Sequence, residues 1–360
     1  MKKIYQYISK IKSIIIGYKT PACVGLDIAS TAVKMVELVP NTLKVAKYTI
    51  APLSKNMVNE GVINDIEKVS DIIRDQWVKL NPSNRDVAIS IPYNAIIIKE
   101  VRAPLFKNKY ELDQFVLDQL IKELDTDDID FDYSIISKEI NEQLLSVVVA
   151  KKEKIEEYQA IIQMTGIQVA AIDVEPFAIQ HLLKLLLSRN KIDGKVILLD
   201  LGATKIRAFV FDDYESIIFN EIVVNYLHMF EEIFLKLDQR IRLQDVVDIY
   251  SQTLELLNKQ QITDDQLVEL MLSDIAKVLQ LVRSNLLVER KISLSPNVPI
   301  ILMGGNTVIP GLIGKIINYT KSDVRSIASL FQGGNSYIPE ADLLRIVTAI
   351  SLATWGQKIE

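Results

Sequence analysis

Two stretches of the sequence repeat one pattern: a strand that ends on an aspartate, a turn of small residues and a second strand. The first copy reads VGLDIASTAVKMVEL, and the second reads ILLDLGATKIRAFVF. Aligning Asp27 with Asp200 also brings Thr31 onto Thr204 without a gap. Both copies have the alternating, β-branched character of strands. A duplicated hairpin of this kind predicts two similar halves, each built around its own sheet.

Helical and extended segments alternate through the rest of the first half. IEKVSDIIRDQWVKL has apolar residues at helical spacing, and Asn81-Pro82 is expected to stop that helix. Residues 94–165 have a different order of predicted elements: a strand, a helix, an acidic loop, two strands and a helix. Because this α+β unit lies between two similar halves, we expect it to be an inserted subdomain.

Composition excludes several classes of protein. The 360 residues carry 41 basic and 46 acidic side chains, so no basic field favours nucleic acid. A single cysteine, Cys23, excludes an internal disulfide framework, and two histidines are too few for a Cys/His metal site. No apolar run has the roughly 20 residues of a membrane-spanning helix. We expect a globular protein.

The two aspartate turns have the features of a phosphate-binding site. Backbone N–H groups of turns 25–31 and 198–204 can converge on phosphates, and an aspartate at each strand tip is a ligand that hydrated Mg²⁺ accepts. We therefore expect both carboxylates at solvent-filled tips. Lys34, seven residues after Asp27, can return along the next strand towards a β- or γ-phosphate.

A third element has a different turn. VPIILMGGNTVIPGL joins an apolar strand to a Gly-Gly turn and a helix that opens at Leu312. Since glycine has no side chain, the backbone at Gly304 and Gly305 is expected to approach a flat ligand closely.

In this order and spacing, the two aspartate turns and the Gly-Gly turn resemble the actin, sugar-kinase and heat-shock-protein superfamily of nucleotide-binding proteins. Within it the chain is similar to the PilM family of type IV pilus assembly, a relative of FtsA. The likeness covers about residues 22–356. It implies an α/β, actin-like ATPase fold with two duplicated domains flanking a nucleotide cleft and an FtsA-type α+β inserted subdomain.

The resemblance also implies where the domains begin and end. The expected segments are an N-terminal extension at 1–21, a first domain at 22–93, 166–194 and 335–360, an inserted subdomain at 94–165 and a second domain at 195–334.

Individual residues receive roles from the resemblance. Glu175 and Asp200 are the implied catalytic residues, Glu175 being where related ATPases orient the attacking water, and Asp27 and Asp200 are the implied Mg²⁺ ligands. Ala29 stands where the family usually has glycine, and its methyl group is expected to keep the turn from φ > 0 or to crowd a phosphate. The implied ATP-binding residues are Asp27, Ser30, Thr31, Lys34, Gly202, Ala203, Thr204, Arg283, Ser284, Gly304, Gly305 and Asn306.

The resemblance implies a cytoplasmic ATP-binding scaffold at the inner face of the bacterial inner membrane, with at most slow ATPase activity. The implied partner is the N-terminal cytoplasmic peptide of a PilN-like inner-membrane protein, docked between the first domain and the insertion. Pilus motor ATPases and self-association are further candidate interactions. Membrane association is expected only through partners, and nucleic acid is not expected as a partner.

Two alternatives remain open on the same fold. One is a small-metabolite kinase of the sugar or acid kinase type, and the other is a cytoplasmic relative from type II secretion. A kinase needs a base aimed at a substrate hydroxyl. His181 and His228 both lie in apolar helical patterns, where structural roles are commoner than catalysis.

Overall fold

The computed structural model describes residues 24–237, 248–331 and 335–359. The expected N-terminal extension at 1–21 lies outside the described residues. The strands are β1 Val24–Ile28, β2 Ala32–Leu38, β3 Val45–Pro52, β4 Val58–Asn59, β5 Val62–Ile63, β6 Asp86–Ile91, β7 Ile96–Pro104, β8 Ile129–Lys138, β9 Glu142–Lys151, β10 Gln168–Val174, β11 Lys195–Leu201, β12 Lys205–Asp212, β13 Glu215–Val223, β14 Ile300–Met303 and β15 Val324–Ser326. The α-helices are α1 Ile66–Leu80, α2 Lys109–Leu124, α3 Lys152–Gln163, α4 Glu175–Arg189, α5 Leu227–Leu237, α6 Ile249–Gln260, α7 Asp265–Asn285, α8 Leu312–Thr320 and α9 Glu340–Ala353.

The predicted duplication is confirmed by two five-stranded sheets with one topology. The first sheet has the order β3-β2-β1-β6-β10, and the second has the order β13-β12-β11-β14-β15. In each sheet the first three strands of the order are antiparallel and the remaining pairings are parallel. The carboxyl ends of β1 and β11, where the two aspartates lie, therefore occupy equivalent positions in the two halves.

The helices complete a layered α/β/α/β/α arrangement. Helices α4 and α9 lie between the two sheets and share one core with both of them. Helices α1 and α3 cover the outer face of the first sheet, and α5 to α8 cover the outer face of the second. Burial of these apolar faces supplies the main favourable term for folding.

Helix α1 illustrates how local sequence sets the elements. The Asp65 side chain accepts a hydrogen bond from the backbone N–H of Lys68 at 3.1 Å, which caps the first turn. Val69, Ile73 and Leu80 then face the first sheet. Asn81 adopts the left-handed conformation at the end, so the stop predicted at Asn81-Pro82 is confirmed.

Helix α9 makes a close backbone contact with the first sheet. A Cβ built on Gly25 in β1 would lie 2.0 Å from the Ala349 carbonyl oxygen and 2.6 Å from the Ala353 nitrogen. Only glycine allows β1 and α9 to approach to this distance.

The insertion contains a three-stranded sheet of order β7-β9-β8 with α2 packed on it. The helix predicted at its end, α3, does not belong to this core. Ile155, Tyr158 and Ile161 of α3 instead pack with the first sheet, next to α1. A boundary near Lys151 therefore fits the packing better than the expected one at 165.

Within the described ranges, every helix is either too short or too polar to cross a bilayer.

Candidate functional site

A cleft opens between the two sheets at the ends of β1 and β11. Its cavity volume is about 120 Å³, and it is open to solvent. Its lining brings together most of the predicted site residues with others from α6 and α9. The residues that carry the chemistry are Asp27, Ala29, Ser30, Thr31, Lys34, Glu175, Asp200, Gly202, Ala203, Thr204, Lys205, Arg207, Tyr250, Gly304, Gly305 and Arg345.

The two turns have matching hydrogen bonds and meet across the cleft. The Ala29 N–H donates to the Ala32 carbonyl at 3.1 Å, and the equivalent Gly202 N–H donates to the Lys205 carbonyl at 3.0 Å. The hydroxyl oxygens of Ser30 and Thr204 are 3.1 Å apart and share a hydrogen bond.

Ala29 does not strain the first turn. Neither Ala29 nor the equivalent Gly202 has a positive φ. A left-handed residue is therefore not required at this position, and the expected conflict between alanine and the turn backbone is absent. Whether the methyl group crowds a phosphate stays a prediction.

Each aspartate lies opposite a basic residue on the next strand. Asp27 pairs with Lys34 in the register of β1 and β2, and Asp200 pairs with Arg207 in the register of β11 and β12. The Lys34 Nζ lies 2.8 Å from Asp27 Oδ2, and the Arg207 Nη1 lies 2.9 Å from Asp200 Oδ2. The two aspartates are only 3% and 7% exposed. The expectation of solvent-filled strand tips is therefore wrong, because the strand partners cover both carboxylates.

Arg207 is the centre of a buried charge network. Besides Asp200, its Nη2 donates to Glu175 Oε2 at 2.6 Å and its Nε donates to Glu221 Oε2 at 3.0 Å. Lys205 Nζ donates to the other oxygen of Glu221 at 3.2 Å. Glu175 comes to this position because it begins α4, where a negative side chain is favoured by the helix dipole.

The pKa shifts follow from this network. Burial raises the pKa of Glu175, but the attraction of Arg207 and Lys205 outweighs it and holds the pKa below its ordinary value. Burial also raises the pKa of Asp200 and of Asp27, in spite of their basic partners. Burial alone would lower the pKa of Arg207, but its carboxylate neighbours raise it. Glu175 is thus an ionised, ion-paired side chain.

The Gly-Gly turn makes room for the protein's own groups. Gly304 has a φ of +91°, and a Cβ there would lie 2.6 Å from both Asp200 Oδ1 and the Leu201 carbonyl oxygen. A Cβ on Gly305 would lie 2.6 Å from the Tyr250 hydroxyl. Gly304 is therefore required by internal packing, and because both glycines also line the cleft, the expected close approach of a flat ligand stays a prediction.

Three of the predicted residues lie outside the lining of the cleft. Asn306 is buried behind it, where its amide donates to the Gly202 carbonyl at 2.7 Å and its oxygen accepts from the Tyr250 hydroxyl at 2.7 Å. Arg283, on α7 beside Ser284, donates to the Pro296 carbonyl at 3.2 Å. The expectation that Arg283 and Ser284 border a bound base is not supported by these positions.

Sequence reasoning missed several residues that shape the cleft. Lys205, Arg207 and Glu221 take part in the charge network, and Tyr250 and Arg345 belong to the lining beside Gly305. One signal was present, because the alignment of the two hairpins places Arg207 at the position of Lys34.

The carboxylates do not fit the implied Mg²⁺ as they are arranged. Magnesium needs oxygen ligands that are free to coordinate it, whereas Asp27 and Asp200 each bind a basic side chain. Across the described parts of the chain, no group of three or more His, Cys, Asp or Glu side chains is arranged to hold a metal ion. A phosphate chain fits better, since the Ser30 and Thr204 hydroxyls and the Lys34 side chain line the cleft.

Solved structures with similar folds were found across nearly the whole chain. A PilM-PilN type IV pilus biogenesis complex aligns with a TM-score of 0.70 and 16% identity, covering 94% of this chain and 99% of that one. The ethanolamine utilization protein EutJ from Carboxydothermus hydrogenoformans aligns with a TM-score of 0.52 and 12% identity, covering 95% and 92%. MreB 5 of Spiroplasma citri, bound to AMPPNP, aligns with a TM-score of 0.44 and 10% identity. The alignment covers 93% of this chain and 95% of that one. The first two alignments support the actin-like ATPase fold.

A family model described as type IV pilus assembly protein PilM matches residues 25–224. This match spans more than half of the 360 residues and includes both aspartate turns and Glu175. With the two duplicated sheets and the cleft between them, it shows that the chain belongs to the PilM family of type IV pilus assembly proteins.

Proposed function

We propose that this protein is an ATP-binding scaffold of type IV pilus assembly that docks a PilN-like partner at the cytoplasmic face of the inner membrane. The observation that carries the proposal is the meeting of two equivalent turns across one cleft, where the Ser30 and Thr204 hydroxyls are 3.1 Å apart. Turns of this kind place hydroxyl and N–H donors around one point, which suits a phosphate chain.

A bound phosphate chain would use groups that now satisfy each other. The Ser30 and Thr204 hydroxyls would exchange their mutual hydrogen bond for bonds to phosphate oxygens. Lys34 has one carboxylate partner and a flexible stem, so its ammonium group can move from Asp27 to a phosphate. Opening of the cleft at this contact would couple ligand binding to the relative position of the two sheets.

The charge network favours binding over turnover. A residue that orients an attacking water must have a free oxygen directed at it. Within the described residues Glu175 keeps one oxygen, Oε1, without a hydrogen bond, but its Oε2 accepts from Arg207 at 2.6 Å and its pKa is held low by that neighbour, which makes it a weak base. This arrangement supports a scaffold role and gives no reason to favour the kinase alternative.

We expect ATP to raise the melting temperature of the purified protein. A ligand at 100 times its dissociation constant stabilises a folded protein by about 2.7 kcal/mol, which corresponds to several degrees. Differential scanning calorimetry with ATP, without ligand and with an equal ionic strength of sulfate would measure it. Thr204→Ala should reduce the shift, and Ser83→Ala, away from the cleft, should not. An unchanged melting temperature at millimolar ATP would contradict nucleotide binding.

The partner is the second part of the proposal, and it rests on the family and on the PilM-PilN complex. Edge strands of the first half could pair with an extended peptide, among them β10 of the first sheet and β8 of the sheet of the insertion. An edge strand can add a peptide through backbone hydrogen bonds, with apolar side chains in pockets beside it. Ile135 on β8 is an apolar side chain that is 37% exposed.

We expect a synthetic cytoplasmic N-terminal PilN peptide to protect residues 94–165, or the neighbouring strand β6, from amide hydrogen exchange. Formation of new backbone hydrogen bonds and exclusion of water would slow exchange there. Hydrogen exchange with mass spectrometry, with and without the peptide, measures this, and a scrambled peptide is the control. Protection confined to the second sheet and its helices would contradict the proposed docking site.

A further inference from the structure

The Arg207 guanidinium binds three carboxylates that come from three separate elements. Asp200 ends β11, Glu175 begins α4 and Glu221 lies on β13. A different nitrogen reaches each of them, at 2.9, 2.6 and 3.0 Å. Arg207 itself is 6% exposed. The planar fork of arginine, with donors in fixed directions, suits this arrangement and lysine does not.

The matching position in the first hairpin is different. Lys34 lies opposite Asp27 in the same register, and its hydrogen bond is to that single carboxylate. Duplicated hairpins therefore carry a movable point charge on one side of the cleft and a fixed, shared cation on the other.

Asp200 is one of the two implied Mg²⁺ ligands, and Glu175 lines the same cleft and shares the Arg207 guanidinium with it. In this protein both of them bind the guanidinium at hydrogen-bond distance, Asp200 through Nη1 and Glu175 through Nη2. Each carboxylate therefore already has a cation beside it, and breaking a buried ion pair is costly.

We propose that Arg207 takes the place of the divalent cation, so that the cleft binds a nucleoside triphosphate as the free anion and not as a magnesium complex. The inference rests on the proposed nucleotide binding. The phosphates meet Lys34 and the Ser30 and Thr204 hydroxyls, while Asp200 and Glu175 stay bound to Arg207.

The first test is the metal dependence of ATP binding. Isothermal titration calorimetry of the unmodified protein with ATP, in excess magnesium chloride and in excess EDTA, is expected to give dissociation constants that differ by less than about threefold. An affinity at least about tenfold lower in EDTA would overturn the proposal. Absence of ATP binding in both buffers would refute the proposed nucleotide site. The second test would then still show whether Arg207 excludes a divalent cation from the cleft.

The second test needs no nucleotide. Electron paramagnetic resonance of Mn²⁺ titrated into the unmodified protein should show no saturable site at Mn²⁺ concentrations below about 1 mM, a range in which built divalent-cation sites do fill. Arg207→Gln removes the guanidinium charge and frees Glu175 and Asp200, so this variant should gain a Mn²⁺ site and melt at a higher temperature with Mn²⁺.

Arg102→Gln is the matched control, because Arg102 is 69% exposed and pairs with Glu142 on the surface. It should behave like the unmodified protein with Mn²⁺. A saturable Mn²⁺ site in the unmodified protein would overturn the proposal, and so would a folded Arg207→Gln variant that gains none. If Arg207→Gln does not fold, the Mn²⁺ titration of the unmodified protein alone tests the proposal, and a saturable site would overturn it.

Discussion

Replacing Gly25 with alanine is expected to lower the free energy of unfolding by more than about 3 kcal/mol, enough to leave little folded protein at 37 °C. The new Cβ would lie 2.0 Å from the Ala349 oxygen and 2.6 Å from the Ala353 nitrogen. Both contacts are with the backbone of α9, so no side chain can rotate away. Helix α9 must shift from the first sheet, and its shared core with α4 and the second sheet must loosen with it.

Gly314→Ala is the matched control for this variant. A Cβ on Gly314, within α8, would have no atom within 4 Å. Alanine is favoured over glycine in a helix by up to about 1 kcal/mol, so this variant should be unchanged or more stable. Urea unfolding followed by circular dichroism would compare the two. Equal stability of Gly25→Ala and the unmodified protein would contradict the close approach of β1 and α9.

The second large effect is expected from Arg207→Met, which should lower the free energy of unfolding by about 3–5 kcal/mol at pH 8. Methionine keeps an unbranched apolar stem but is shorter and has no charge and no donor. Glu175, Asp200 and Glu221 would then remain close together without Arg207, and removing one partner of a buried ion pair typically costs this much. Arg102→Met, at a surface ion pair, should change stability by less than about 1 kcal/mol.

The stability lost in Arg207→Met should be smaller at low pH than at high pH. In the unmodified protein Arg207 holds the pKa of Glu175 below its ordinary value, so that pair stabilises the fold above the unfolded pKa and the gain is lost as pH falls. In Arg207→Met, burial raises the pKa of the uncompensated carboxylates, which bind protons more readily when folded. The variant therefore loses stability as pH rises. Urea unfolding should show a smaller difference between the two proteins at pH 5 than at pH 8, and an equal difference would contradict the assignment.

The duplication was the part of this fold that the sequence predicted best. Matching strands and turns around Asp27 and Asp200 are local patterns, and the pairing of each aspartate with the basic residue seven positions later follows from hairpin geometry. The end of α1 at Asn81 was likewise predicted from adjacent residues. Signals of this kind need no knowledge of how distant segments pack.

The charge network was not predicted because its members are far apart in the sequence. Arg207 and Glu221 are register partners on β12 and β13, but Glu175 joins them only when α4 packs beside the second sheet. The same reason explains α3, whose pattern indicates a helix but not the sheet that its apolar face covers. Gly304 and Gly305 were interpreted through a ligand, whereas the groups that they accommodate, Asp200 and Tyr250, come from other elements.

The position of α9 has a consequence for how the protein is made. Residues 340–353 complete the core beside β1, although the ribosome synthesises them roughly 300 residues later. At about 5–20 residues per second, translation of that interval takes about 15–60 s. During this time the inner face of the first sheet lacks one of its two covering helices. We therefore expect the first sheet to reach its native packing only after translation has passed α9, and nascent chains that stop earlier to be substrates for chaperones.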